Sequence, residues 1–217
     1  MDITEIIMKV TEAVGVAACS ISGSMIAIKR KLDAFGVVII GCITAVGGGF
    51  IRDITIGIAP PAVFSSEYIL PLAALVSVVT FAAVYFYHNT YTLVNNRANN
   101  IINIFDAIGL GAFTIIGTEA ARRAGFYENM LLAVTLGTIT GVGGGVLRDI
   151  MTNVTPYVFR KHIYAIASII GSVIYYLADM AGAERLFSVV ASLAVVTTIR
   201  ILASKYRWSM PMIDIGE

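Results

Sequence analysis

The sequence predicts an all-α polytopic membrane protein of seven transmembrane helices, built as an inverted 3+3 repeat with a seventh helix added. Three observations carry this. The 217 residues are 58% hydrophobic and 13% charged, with a mean hydropathy of +0.84, which belongs to multi-spanning chains rather than soluble domains. Seven runs reach the roughly 20 apolar residues that cross a bilayer core as a helix: about 8–28, 35–58, 67–88, 101–121, 130–152, 162–180 and 185–203. Finally, the stretch Gly41 to Ile54 returns as Gly137 to Ile150, an offset of 137 − 41 = 96, with ten of fourteen positions identical.

Span one has no basic leader and is flanked by Asp2, Glu5 and Glu12, so it is expected to be a true span rather than a cleaved signal. It ends in Lys29-Arg30-Lys31. With that loop in the cytoplasm, alternating loops place Arg97, Arg160, Lys161, Lys205 and Arg207 on the same side, and Lys9, Arg122, Arg123 and Arg185 opposite. Eight basic residues against four put the N-terminus outside and the C-terminus in the cytoplasm.

Span two carries the first glycine motif and stops at Ala59-Pro60-Pro61, where two prolines forbid continuation. Span three, with Pro71 in its first turns, leads to Asn89–Asn103, a polar connection containing six asparagines. That connection divides two halves, repeat one at about 8–88 and repeat two at about 101–180, within a single membrane domain covering 1–217. At an offset of 94, Glu12, Ala13, Gly15, Ala18, Ile21 and Gly23 fall on Asp106, Ala107, Gly109, Ala112, Ile115 and Gly117. Span one thus repeats as four, two as five and three as six. A repeat with an odd number of spans enters the membrane from the opposite side the second time, which makes the pair inverted. Span seven, about 185–203, has no paired glycines and reads as a cover helix facing lipid or a neighbouring subunit. Tyr206, Arg207 and Trp208 after it suit a membrane interface.

The charge balance, +1 at pH 7, leaves no footprint for nucleic acid. Cys19 and Cys42 lie inside spans and read as small packing residues, with neither a disulfide nor a metal implied. His88 and His162 stand at span ends without a second ligand at metal spacing, which fits a solvated interfacial role. No enzyme motif is present: Gly109-Leu110-Gly111 lacks the third glycine and the strand-turn-helix setting of a dinucleotide site. No resident cofactor or metal is expected.

The repeated motif carries the chemistry. Gly47, Gly48 and Gly49, matched by Gly143, Gly144 and Gly145, each weaken a helix by about 1 kcal/mol relative to alanine and let another backbone approach closely. Close packing of spans two and five is one role. A kink or short unwound stretch exposing carbonyl oxygens to a wet path is the other, since irregular backbone at membrane depth is tolerated only there or inside protein.

Three residues on from each triplet stand Arg52-Asp53 and Arg148-Asp149, charges that are costly in hydrocarbon. Because the repeat is inverted, the two arginines guard opposite faces. Neighbours on a helix point about 100° apart, so each arginine is expected to reach beyond its own aspartate, across the halves or to Asp106, Glu119 or Glu12. A structural ion pair and an electrostatic gate both fit. The remaining polar atoms of the spans are hydroxyls: Ser20, Ser22, Ser24, Thr44, Thr114, Thr118, Thr138 and Thr140. Thr44 and Thr140 are equivalent, one turn before the glycines, and are candidates for lining a cation path, although a lone membrane threonine commonly bonds back to its own helix.

Paired Gly-Gly-Gly-x-x-Arg-Asp motifs in a repeat of three spans plus a seventh resemble the prokaryotic branch of the trimeric intracellular cation (TRIC) channels. They are also similar to a related bacterial two-repeat membrane family labelled as a glycine transporter. The TRIC resemblance implies a homotrimer in which each subunit has its own pore, kinked at Gly47 to Gly49 and Gly143 to Gly145, passing K⁺ and less selectively Na⁺. Arg52, Asp53, Arg148 and Asp149 would stand near the constriction, and Ser24, Thr44, Thr118, Thr138 and Thr140 along the path. Animal members carry Lys-Glu-Val in place of the first glycine motif. Gly-Gly-Gly here points instead to a prokaryotic plasma membrane. A secondary transporter of a small solute such as glycine is the alternative function.

Overall fold

The computed structural model describes residues 2–86, 95–160, 163–206 and 208. His88, Lys161, His162 and Arg207 lie outside the described residues, and with them the interfacial role expected of the histidines. Seven helices are long and apolar enough to span a membrane: α1 (Ile3–Lys29), α2 (Ala34–Thr55), α4 (Ile69–Phe86), α5 (Asn95–Arg123), α6 (Met130–Met151), α8 (Ile163–Met180) and α9 (Arg185–Lys205). Two short helices, α3 (Ala62–Ser65) and α7 (Tyr157–Arg160), follow α2 and α6.

The internal repeat extends to the ends of the helices. Asp33 caps α2 by accepting from the Gly36 N–H at 2.8 Å, and Asn129 caps α6 by accepting from the Leu132 N–H at 3.0 Å. Each side chain satisfies one of the orphan donors of a first turn. At the other ends, Gly57 and Asn153 take left-handed backbone (φ +74° and +55°). The next N–H reaches back across the turn, Ile58 to the Asp53 carbonyl at 2.9 Å and Val154 to the Asp149 carbonyl at 2.8 Å, which is the Schellman ending of a helix. Lys31 and Gly125 end α1 and α5 in the same way. Pro71 is accommodated in the first turn of α4, where no intrahelical partner is lost.

Helices α1, α2, α5 and α6 pack against one another at the centre; α4 lies against α1 and α2, and α8 against α5 and α6. Small residues set these distances, as expected where lipid supplies no hydrophobic drive between helices. A Cβ built on Gly15 would stand 3.1 Å from that of Ala112, and one on Gly109 would collide with the Cys19 sulfur. Those two glycines are equivalent, so α1 and α5 meet across the pseudo-two-fold axis. Helix α9 breaks the symmetry, packing on α5 and α8 with Val196 over Gly111 and Gly171. Leu75, Val78 and Val79 of α4 face outward, toward the position of the acyl chains.

Candidate functional site

Helices α2 and α6 cross at the glycine triplets. A Cβ on Gly48 would run into the Thr140 carbonyl oxygen, one on Gly144 into the Thr44 carbonyl oxygen, and one on Gly143 would come within 3.0 Å of Gly48 Cα. The expected unwound stretch is absent: both helices keep α-helical hydrogen bonding through Gly47 to Gly49 and Gly143 to Gly145. Backbone-to-backbone packing supports the helices there, and paired N–H and C=O groups inside protein have no reason to separate. Gly49 and Gly145 point away from the crossing: the atom nearest a Cβ on Gly49 is Arg52 Nη2 at 3.7 Å, and on Gly145 it is the Tyr164 hydroxyl at 3.0 Å.

Thr44 and Thr140 donate to the Ile40 and Leu136 carbonyls of their own helices, each at 2.6 Å. Both are buried and wedge against a glycine of the neighbouring span, Thr44 on Gly23 and Thr140 on Gly117. Thr138, half-buried, bonds back to Val134, and Thr118 bonds back to Thr114, each at 2.8 Å. Ser24 meets Gly41 beside Ser77, and Thr118 meets Gly137 beside Ser172, again as equivalent sets. Among the described residues the buried hydroxyls of Ser20, Ser24 and Ser172 have no hydrogen-bond partner.

The Arg–Asp pairs depart from expectation in one respect. Arg52 Nε donates to Asp53 Oδ1 at 2.8 Å, with Nη2 2.7 Å from the same oxygen. The long arginine stem carries its head group round the 100° between neighbours, so adjacency on the helix does not keep the charges apart. The second oxygen of Asp53 accepts from the Ala62 N–H at 2.8 Å, and that of Asp149 from the Tyr157 N–H at 3.0 Å. Each aspartate therefore ties its arginine to the start of the short helix that follows the span.

Arg148 does reach further, as expected. Its Nε donates to Asp149 at 2.9 Å, and its Nη1 donates to Asp106 at 2.7 Å and to Ser22 Oγ at 2.9 Å. Arg200, from the last two turns of α9, stands 3.5 Å from the other Asp106 oxygen and 4.2 Å over the Tyr164 ring. All of these side chains except half-buried Tyr157 are buried. On the opposite face, Glu12 accepts from the Tyr68 hydroxyl. Glu12, Val16, Gly49, Arg52, Asp53 and Phe113 are among the residues lining a small cavity on this face.

Sequence reasoning missed Arg200, whose signal was a lone charge inside the apolar run Val195 to Ala203. It also missed the tyrosines Tyr68 and Tyr164, which share the offset of 96. A third network on the face of Glu12 was missed as well. There Arg185 donates to Glu119 at 3.0 Å and lies 3.0 Å from Asp179, and Tyr175 donates to Glu119 at 2.9 Å, joining α5, α8 and α9. Glu119 was foreseen as a partner for the motif arginines, but it takes Arg185 and Arg122 instead.

Comparison with known proteins adds three findings. The family model described as "Glycine transporter" matches residues 9–88 and 103–180. The UPF0126 inner membrane protein YadS of Escherichia coli (strain K12) is 34% identical over 205 residues, which is 93% of this chain and 92% of that protein. Among solved structures, a prokaryotic TRIC channel in 0.5 M KCl superposes with a TM-score of 0.83 at 34% identity, covering 95% of this chain and 100% of the other. The TRIC trimeric intracellular cation channel orthologue from Rhodobacter sphaeroides gives a TM-score of 0.82 at 26% identity, covering 93% and 99%.

Proposed function

The chain belongs to the glycine transporter family of two-repeat membrane proteins and has the TRIC channel fold, and from that premise we propose that it is a cation channel of the inner membrane, permeable to K⁺, with one pore in each subunit of a homotrimer. The observation that carries this reading is the arrangement at the crossing of α2 and α6. Two equivalent helices meet at glycines, and each ends in an Arg–Asp pair at the opposite face. Such a site sets an equivalent Arg–Asp pair toward each face. The buried hydroxyls of Ser20, Ser24 and Ser172, left without partners among the described residues, favour a hydrated route beside the crossing, because buried polar groups need a partner and water supplies it.

In this proposal Ser24, Thr118 and Thr138 line the route together with Thr44 and Thr140, whose hydroxyls reach it when they leave their own helix carbonyls. Gly47 to Gly49 and Gly143 to Gly145 let α2 and α6 bend without unwinding, and Arg52, Asp53, Arg148 and Asp149 set the electrostatic barrier at the two ends. The N-terminus lies outside and the C-terminus in the cytoplasm, following the loop charges.

The second reading, secondary transport of a small solute such as glycine, is favoured by the family's description and by the inverted repeat, an architecture shared by many transporters. Purified protein in planar bilayers separates the two. Discrete K⁺ conductance steps support the channel; glycine-coupled flux without steps supports the transporter.

A further inference from the structure

Helix α9 repeats one piece of chemistry at both of its ends. At its start, Arg185 lies 3.0 Å from Glu119 of α5 and 3.0 Å from Asp179 of α8, and it donates to the Tyr175 hydroxyl of α8 at 2.5 Å. Near its other end, Arg200 stands 3.5 Å from Asp106 of α5 and 4.2 Å over the ring of Tyr164 of α8. Each end thus joins an arginine of α9 to an acid of α5 and a tyrosine of α8. The two tyrosines are 175 − 164 = 11 residues apart, close to three helical turns, so they share one face of α8. Between the ends, Ser192 Oγ donates to the Gly171 carbonyl at 2.8 Å, and Val196 packs on Gly171. Helix α8 is therefore fastened along its whole length.

The first half has no counterpart of α9. Its third span, α4, contains no charged residue, and its buried residues, Ile69, Ala73 and Ser77, all lie in its first half. Tyr68, just before the helix, is tied to Glu12. Beyond Ser77, Phe81 and Val84 are half-buried and pack on apolar residues of α1, α2 and α5. Acyl chains replace contacts of that kind at little cost, because lipid is as apolar as the side chains. A buried guanidinium–carboxylate contact has no such substitute in hydrocarbon. The same span is thus fastened in one half of the repeat and held at only one end in the other.

The consequence falls on two matched contacts. Ser24 and Ser77 meet at Gly41, and Thr118 and Ser172 meet at Gly137, in each case filling the space a Cβ would take. We propose that α9 is a two-ended strap that keeps the Thr118–Ser172 contact shut, so that when the protein changes shape the second half of α4 swings and the Ser24–Ser77 contact opens. If the protein is a cation channel, that contact is its moving gate; the strap and the motion do not depend on that reading.

The test reads the opening with single cysteines in the full-length protein, carrying Cys19→Ala and Cys42→Ala, in lipid bilayers. Ser77 and Ser172 are both 0% exposed, so Ser77→Cys and Ser172→Cys start from equal burial. Each is treated with a charged methanethiosulfonate, which travels in water and reaches a thiol only where helices part. Ser77→Cys should react at least about tenfold faster than Ser172→Cys, because its local opening costs less. Adding Arg185→Met and Arg200→Met should raise Ser172→Cys to the rate of Ser77→Cys and leave Ser77→Cys as it was. In that variant Glu119 and Asp179 keep Arg122, and Asp106 keeps Arg148, so neither cluster loses every counter-charge. Equal rates with the strap intact, or a folded strapless protein whose Ser172→Cys stays unreactive, would each overturn the assignment. Should the strapless protein not fold, the comparison of Ser77→Cys with Ser172→Cys decides by itself. Unequal rates in a protein without conductance steps would leave the strap standing and remove the channel.

Discussion

Gly48 and Gly144 stand face to face across the pseudo-two-fold axis, each pressed on a carbonyl oxygen of the other's helix, Gly48 on Thr140 and Gly144 on Thr44. No side chain fits between them. Gly48→Ala or Gly144→Ala must push α2 and α6 apart, and either is expected to lower the melting temperature and the yield of assembled protein. Overpacking of this kind typically costs about 1–3 kcal/mol.

Gly49 is the position at which bending can be tested without disturbing that contact, because a Cβ there meets nothing closer than Arg52 Nη2 at 3.7 Å. Gly49→Ala should keep or raise stability, since alanine favours the helix by about 1 kcal/mol. If α2 bends during conduction, the same change should cut single-channel open time. Unaltered gating alongside wild-type stability would assign the triplet to packing alone.

The two arginines should respond differently to removal. Arg148 is fully buried and holds Asp106, Asp149 and Ser22, so Arg148→Ala leaves Asp149 without a guanidinium and Asp106 with only Arg200 at 3.5 Å, and it is expected to destabilise by about 3–5 kcal/mol. Arg52→Ala leaves one stranded carboxylate, Asp53, that keeps its bond from the Ala62 N–H, and a smaller loss is expected. In the path, a fixed positive charge about 6 Å from a cation repels it by roughly 3 kcal/mol at an effective dielectric of 20. Arg52→Ala should therefore raise cation conductance, and Asp53→Asn should lower it. Paired melting curves and single-channel currents check both; an Arg52→Ala protein that is stable yet conducts no better would remove the barrier role.

Thr44 and Thr140 give a further comparison, because their hydroxyls are spent on Ile40 and Leu136. Thr44→Val and Thr140→Val keep the wedge against Gly23 and Gly117 and remove only the oxygen. Stability should change by less than about 1 kcal/mol. A fall in conductance would mean that these hydroxyls turn to the ion during passage, and unchanged currents would confine the path to Ser24 and its neighbours.

Topology follows from the loop charges and is checked with reporters. A fusion after Glu217 should read cytoplasmic, and an insertion near Pro60 external. Both on one side would contradict the inverted repeat.

The spans, their number and their inverted pairing were legible in the chain, because hydrocarbon demands long apolar helices and because a repeat with ten identities in fourteen is visible without coordinates. The equivalence of Arg52 with Arg148 and of Glu12 with Asp106 was legible for the same reason. What tertiary structure decided was where those equivalences fail. Sequence spacing ranks Arg52 and Arg148 alike, yet one closes on its neighbour while the other gathers Asp106 and Ser22 from two other helices. Helix α9 read as a plain cover because it has no paired glycines, and its one interior charge is Arg200. Only its docking on α5 and α8 carries Arg200 to Asp106 and leaves Glu12 without an equivalent partner. The glycine triplets likewise permitted either a break or a contact, and the contact won because the facing helix offers glycines at the same depth. Local sequence sets what each helix can do. Which of two equivalent acids gains a second guanidinium depends on a distant helix that has no equivalent of its own.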